Sequence, residues 1–293
     1  MEESRAGSSS SSSSPSGYAL GPPWLFRGRA LYQLHLVKAE IVRAFIPKEF
    51  KLVEAFGYTL GGLFLAHYDE SPAGVFDELV VLAGIVWNPP TSCAWASRVL
   101  VNSHEACRHG RKEIGLPSHV AIFSKKNRKA LEQPLNKSQI SSIHPKLEDD
   151  KEIQVHEMED TSQISICNIS LPIAGYSWMG PKIKISLPSF SGQTVYNPNL
   201  LKYSCQVECR VRAVEAAKIS RLMIAKATIT EPENSFDNFK AKEKKYGDRL
   251  ATEDVGRDQS IEVLLSKPVM ALEFNFLKMQ VEAPIIIHSE SRT

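Results

Sequence analysis

Chemistry in this chain could come from a few side chains set far apart. Glu78 stands directly before the apolar run 79–86, where the backbone enters a core. A carboxyl desolvated there has a raised pKa and can exchange protons near neutrality. Arg29 offers a guanidinium fork suited to a carboxylate or a polarised oxygen. The plainer readings are a solvated arginine at a strand start and a structural partner for an ion pair or backbone amide. Ser118 and His119 put a hydroxyl beside an imidazole. Neighbours on a strand point to opposite faces, so the two cannot serve one pocket as nucleophile and base. His104, Cys107 and His109 bring three potential metal ligands together within six residues, but their spacing matches no common zinc pattern and no metal is expected. Cys205 and Cys209 fall in step on one face of a strand, which explains them better than a redox motif.

Short apolar runs punctuated by Gly and Pro must position these groups. Residues 31–37 read as a strand, and Val37, Ile41, Ala44 and Phe45 then follow at helical spacing until Pro47 stops them. Strands are expected at 58–68, 79–87 and 94–101, separated by turn-forming clusters at 69–74 and 88–92. Strand texture returns at 164–171, 182–187 and 201–214, where Tyr203, Cys205, Val207, Cys209 and Val211 alternate with polar neighbours. The last element, 269–281, alternates through Leu272, Phe274 and Phe276 and then shifts phase to Leu277, Met279 and Val281. A slip of one residue predicts a β-bulge of the kind that bends a barrel wall.

The expected architecture is a mainly β, antiparallel barrel or cone with short helices, one domain over 21–287. A Ser-rich tail, 1–20, precedes it and a tail, 288–293, follows. Two charged runs without periodicity, 124–162 and 229–260, read as mobile surface insertions. The chain has 293 residues, 43% hydrophobic and 23% charged, an ordinary globular balance. A net charge of +2 gives no field for a polyanion, so nucleic acid is not an expected partner. No apolar run reaches the ~18 residues of a membrane span. Five scattered cysteines suit a reducing compartment. Seven consecutive serines suit a plastid transit peptide, whereas Glu2 and Glu3 argue against one and for the cytosol.

Three segments have the order and spacing of the acetoacetate decarboxylase-like family, which the chain resembles over most of 21–123. They are Gly21-Pro-Pro-Trp-Leu-Phe-Arg-Gly-Arg29, Asp69-Glu-Ser-Pro-Ala-Gly-Val-Phe-Asp-Glu78 and Arg111-Lys-Glu-Ile-Gly-Leu-Pro-Ser118-His119. The resemblance implies a substrate-facing arginine at Arg29, a pocket glutamate at Glu78 and a Schiff-base lysine where Ser118 stands. A serine hydroxyl cannot condense with a ketone to an iminium, so the electron sink for decarboxylation is missing. A second family glutamate falls on Leu63, and His119 occupies the place of the lysine that lowers its neighbour's pKa. Decarboxylation is therefore not expected. No residue is assigned as catalytic and no cofactor is called for. A pocket lined by Arg29, Glu78, Gly115, Pro117, Ser118 and His119 is expected to hold a small apolar ligand.

Longer matches, among them Ala30-Leu-Tyr-Gln-Leu-His-Leu-Val-Lys-Ala39 and Trp178-Met-Gly-Pro, resemble a plant branch of the family. That branch implies an accessory part in making neoxanthin, a xanthophyll precursor of abscisic acid, and so in drought response. It also implies a carotenoid as ligand, carotenoid-pathway proteins as partners and the chloroplast as compartment. A homo-oligomer is compatible with the sequence. Two rivals stay open: an enzyme using Glu78 and Arg29 by another mechanism, and a scaffold recruiting carotenoid enzymes through its insertions.

Overall fold

Period-two alternation of apolar and polar side chains, with many β-branched and aromatic residues, builds long strands. In chain order these are β1 (Trp24–Lys38), β2 (Lys51–Leu52), β3 (Tyr58–Glu70), β4 (Phe76–Asn88) and β5 (Thr91–Val101). They continue as β6 (Ser118–Asn127), β7 (Lys151–Glu159), β8 (Ser162–Ser170) and β9 (Lys182–Ser191). β10 (Leu201–Val214), β11 (Lys218–Ser220), β12 (Lys267–Val281) and β13 (Ile285–Ile286) complete the set. Among the described residues three α-helices interrupt them: α1 (Ala39–Val42), α2 (His104–His109) and α3 (Glu243–Leu265). The computed structural model describes residues 17–48, 50–127, 151–159, 162–172, 180–191, 199–222 and 243–287.

Seven strands close a barrel in the order β5-β9-β10-β12-β1-β3-β4, with β4 pairing back onto β5. The ring departs from an all-antiparallel design at one joint, since β5 and β9 run parallel through Ala94–Ser189 and Trp95–Phe190. Beyond that joint β5 forks. Its C-terminal half pairs in parallel with β6, from Val99–Ser118 to Val101–Val120. That pairing starts a side sheet, β6-β7-β8-β11.

Register decides which face each residue takes. β1 and β3 pair without a break from Gly28–Tyr68 to Lys38–Tyr58. Ala30, Tyr32, Phe64, Ala66 and Tyr68 therefore share the inner face. Leu31, Gln33, Leu63 and Leu65 take the outer one, which is buried beneath α3 and the side sheet. There Gln33 clamps the backbone of Ala217 with both amide atoms, at 2.7 and 3.1 Å, and His35 Nδ1 lies 3.2 Å from the Val263 carbonyl. The expected bulge falls at Phe276. It sits at φ 52°, faces solvent, and lets Phe274 and Leu277 both point inward.

The expected insertion 124–162 is narrower on both sides, because residues 124–127 end β6 and 151–159 are β7. Within 229–260, the stretch from Glu243 onward belongs to α3, a helix of 23 residues and so not a short one. Arg257, Ser260, Ile261 and Leu264 are buried at the spacing of one helix face. Two of those four are polar, which hid the stripe. Of the expected tails and insertions, residues 1–16, 128–150, 160–161, 229–242 and 288–293 lie outside the described residues.

Candidate functional site

Alternation along β4 turns Phe76, Glu78 and Val80 into the barrel, opposite Tyr68, Ala66 and Phe64 of β3. Tyr68 is fully buried, and its hydroxyl donates to Glu78 Oε2 at 2.7 Å. Burial raises the Glu78 carboxyl to about 7, although the Tyr68 hydrogen bond pulls it partly back. Cys205 and Tyr203 of β10 lie close enough to feel that charge. Burial first and Glu78 second push the Cys205 thiol up to about 12, while the Tyr203 phenol is raised by burial and then by Cys205 and Glu78. Ser189 of β9 hydrogen-bonds Tyr203.

These groups line a chamber and do not merely fill a core. Tyr32, Glu78, Val80, Ile185, Leu187, Tyr203 and Cys205 all belong to the inner wall, yet each keeps accessible surface. A solid core would leave them none. Across it, Tyr32, Phe64 and Phe274 form an aromatic layer with ring centroids 6.1–6.4 Å apart. The opposite end is plugged. Tyr18 stacks on His109 with centroids 3.6 Å apart, and Trp24 meets the same imidazole edge-on at 4.4 Å. Burial, partly offset by Glu113 and Glu105, lowers His109 to about 4, so it stays neutral in the plug.

The segment after α2 delivers Ser118 to this wall. Ser103 caps α2 by accepting from Ala106 N, and the chain continues through a wide π turn, Gly110–Ile114. Gly115 ends that turn at φ 71°, a left-handed conformation that glycine adopts without a Cβ clash. Pro117 then passes its carbonyl to Val99 N at 2.9 Å. Ser118 is only 1% exposed, and a Cβ on Gly110 would stand 2.7 Å from its hydroxyl. It pairs with Val99, an inner-wall residue, so it stands on the barrel side of β6.

Two expected pocket residues lie elsewhere. Arg29 pairs with His67 in the outward parity of β1 and is exposed, so it does not line the chamber. His119 pairs with Leu100 on the face opposite Ser118. Its Nδ1 lies 2.8 Å from Glu157, which also accepts from Arg98 at 2.6 and 2.9 Å and from Arg257 of α3 at 3.3 Å. Burial alone would raise the Glu157 carboxyl, but His119 and Arg98 outweigh it and hold the group at about 2. The His119 pKa is lowered, chiefly by burial, and its ring is held in a structural ion cluster away from the chamber. Leu63 likewise faces outward, fully buried, and is not a pocket position.

Sequence reasoning missed Tyr68 and Tyr18. Tyr203 and Cys205 were visible only as strand alternation. Among the described residues no group of His, Cys, Asp and Glu converges to hold a metal ion, and no helix is long and apolar enough to cross a membrane.

No family model matches the sequence. The chain is 57% identical over 287 residues to Protein NEOXANTHIN-DEFICIENT 1 of Oryza sativa subsp. japonica, covering 94% of this chain and 92% of that protein. It is 53% identical to the protein of the same name from Arabidopsis thaliana, covering 93% and 96%. Among solved structures it resembles an acetoacetate decarboxylase at TM-score 0.50 and 8% identity, covering 92% of this chain and 91% of that one. It also resembles the enduracididine biosynthesis enzyme MppR at TM-score 0.50 and 12% identity, covering 92% and 89%. At those identities the likeness is one of fold alone.

Proposed function

The chain belongs to the NEOXANTHIN-DEFICIENT 1 family, and on that premise we propose that it serves neoxanthin biosynthesis as a non-decarboxylating accessory protein holding an apolar ligand in its barrel. The observation that supports this most is a chamber walled by aromatic and aliphatic side chains with one carboxyl, Glu78, near its closed end. An apolar body can lie against Tyr32, Val80 and Ile185. An oxygen on its end can meet the Glu78 oxygen that Tyr68 leaves free. Ser118 supplies no amine, so a keto acid has nothing to form an iminium with.

A second reading treats Glu78 as a general acid or base, because its pKa near 7 suits proton transfer at neutral pH. Arg29 has no part in it, since it faces away from the chamber.

The test is titration of the full-length protein with violaxanthin in detergent, read by absorbance shift and induced circular dichroism, alongside rescue of a neoxanthin-deficient plant. Cys205→Phe fills the chamber, and affinity is expected to fall at least about tenfold, a loss of about 1.4 kcal/mol, with rescue lost. Glu78→Gln is expected to bind within a few-fold and to rescue. Binding without rescue in Glu78→Gln would move the enzyme reading to first place. Full rescue by a stably folded Cys205→Phe protein would remove the chamber from the function. Borohydride trapping with acetoacetate is expected to leave no adduct.

A further inference from the structure

The end of the barrel opposite the Tyr18 plug displays a ring of exposed apolar side chains. Leu36 and Leu60 are cross-strand partners in the inward parity of β1 and β3, yet both are solvent-exposed where the strands run past the core. Met270 of β12 continues the same face through its pairing with Leu34, and Tyr58 continues it on β3. Trp87 pairs with Lys51 on the neighbouring strand and is also exposed. Beside this rim, Ala55 and Tyr58 exchange backbone hydrogen bonds at 2.8 and 3.0 Å across a two-residue turn, Phe56-Gly57. Phe56 stands at its tip, fully exposed and at φ 53°. A bulky residue held left-handed and bare in water is uncommon and stabilises nothing in the fold.

Charge accompanies the apolar ring. Lys38, Lys51 and Lys267 are exposed beside it, and Lys51 and Lys267 have no acidic partner among the described residues. Glu40 and Glu54 are offset by Lys38 and Arg43. Aromatic and aliphatic side chains next to basic ones are what an interfacial protein offers to lipid. A protein partner fits less well. Protein interfaces concentrate binding in a packed centre, whereas the centre of this ring is the barrel mouth itself.

We propose that this rim seats the barrel mouth on an anionic lipid surface, with Phe56 and Trp87 entering the interface and Lys51 and Lys267 meeting headgroup phosphates. An apolar molecule then passes between bilayer and chamber without crossing water. The docking itself does not depend on which ligand the chamber holds.

Co-sedimentation of the full chain with phosphatidylcholine vesicles, with and without phosphatidylglycerol, tests this. Binding is expected with phosphatidylglycerol and is expected to weaken as salt rises. Phe56→Asn keeps a residue suited to positive φ while removing the ring, and it should weaken binding at least about tenfold with an unchanged melt. The pair Lys51→Glu and Lys267→Glu should erase the preference for phosphatidylglycerol. Absence of vesicle binding would overturn the proposal, as would variants that bind like wild type. So would a concentration-dependent dimer that Phe56→Asn dissolves, because a second copy would then be the occupant.

Discussion

Two glutamates on opposite sides of the barrel wall, Glu78 on β4 within it and Glu157 on β7 of the side sheet, have moved in opposite directions. Glu78, inside the barrel, has one phenol for company and is raised to about 7. Glu157, outside it, has two guanidiniums and an imidazole and is held at about 2. Burial acts on both in the same sense, so the difference lies in the neighbours. The paired carboxylate fastens: it ties β5, β6, β7 and α3 into one unit. The poorly paired one is left with a proton to lend or a hydrogen bond to give.

The largest expected effect comes from breaking the fastened site. Glu157→Gln leaves Arg98 buried without its counter-charge, while Arg257 keeps Glu159 and Asp254, and denaturant unfolding should show a loss of about 3–5 kcal/mol. The wild-type contribution is present above the ordinary carboxylate pKa of 4.5 and is lost as pH falls through about 2. An unchanged midpoint would show that the cluster holds nothing. Glu78→Gln should act with the opposite sign. A folded pKa raised from 4.5 to about 7 costs wild-type stability as pH rises through that window. The variant should match wild type below the window and be more stable above it, by up to about 3 kcal/mol at about 1.4 kcal/mol per pKa unit. A flat difference across melts at several pH values would mean that Glu78 is not desolvated. Arg29→Ala marks the small end, with under about 0.5 kcal/mol expected and ligand titration unmoved. A drop in affinity would bring Arg29 back to the chamber.

Alternation made much of the wall legible in advance. The strands of the barrel lie close to where apolar periodicity puts them, and the phase slip near Phe276 is a real bulge. The opposed faces of Ser118 and His119 follow from the same period. What failed was parity inherited from resemblance. Arg29 sits opposite the bulge, where the register with β12 skips from Gly28 to Ala30, and motif spacing alone cannot carry the facing of a side chain across such a slip. The ion cluster was illegible for another reason. Arg98, Glu157 and Arg257 are 59 and 100 residues apart, and Glu157 and Arg257 both lay in charged runs that looked like solvated surface. Tyr68 reads as an ordinary strand aromatic until its hydroxyl is seen to face a carboxyl.

The forked strand β5 has a consequence for how the barrel breathes. Its ladder to β9 spans two residue pairs, whereas β1 and β12 are zipped along nearly their whole length. Local opening follows the least protected hydrogen bonds, so the β5–β9 joint is the seam that parts first, and amide exchange there should outrun exchange along β1. A ring with one short seam can loosen sideways while the rest of its hoop stays intact. A molecule held inside would gain there a lateral way out, separate from the mouth, that needs no global unfolding.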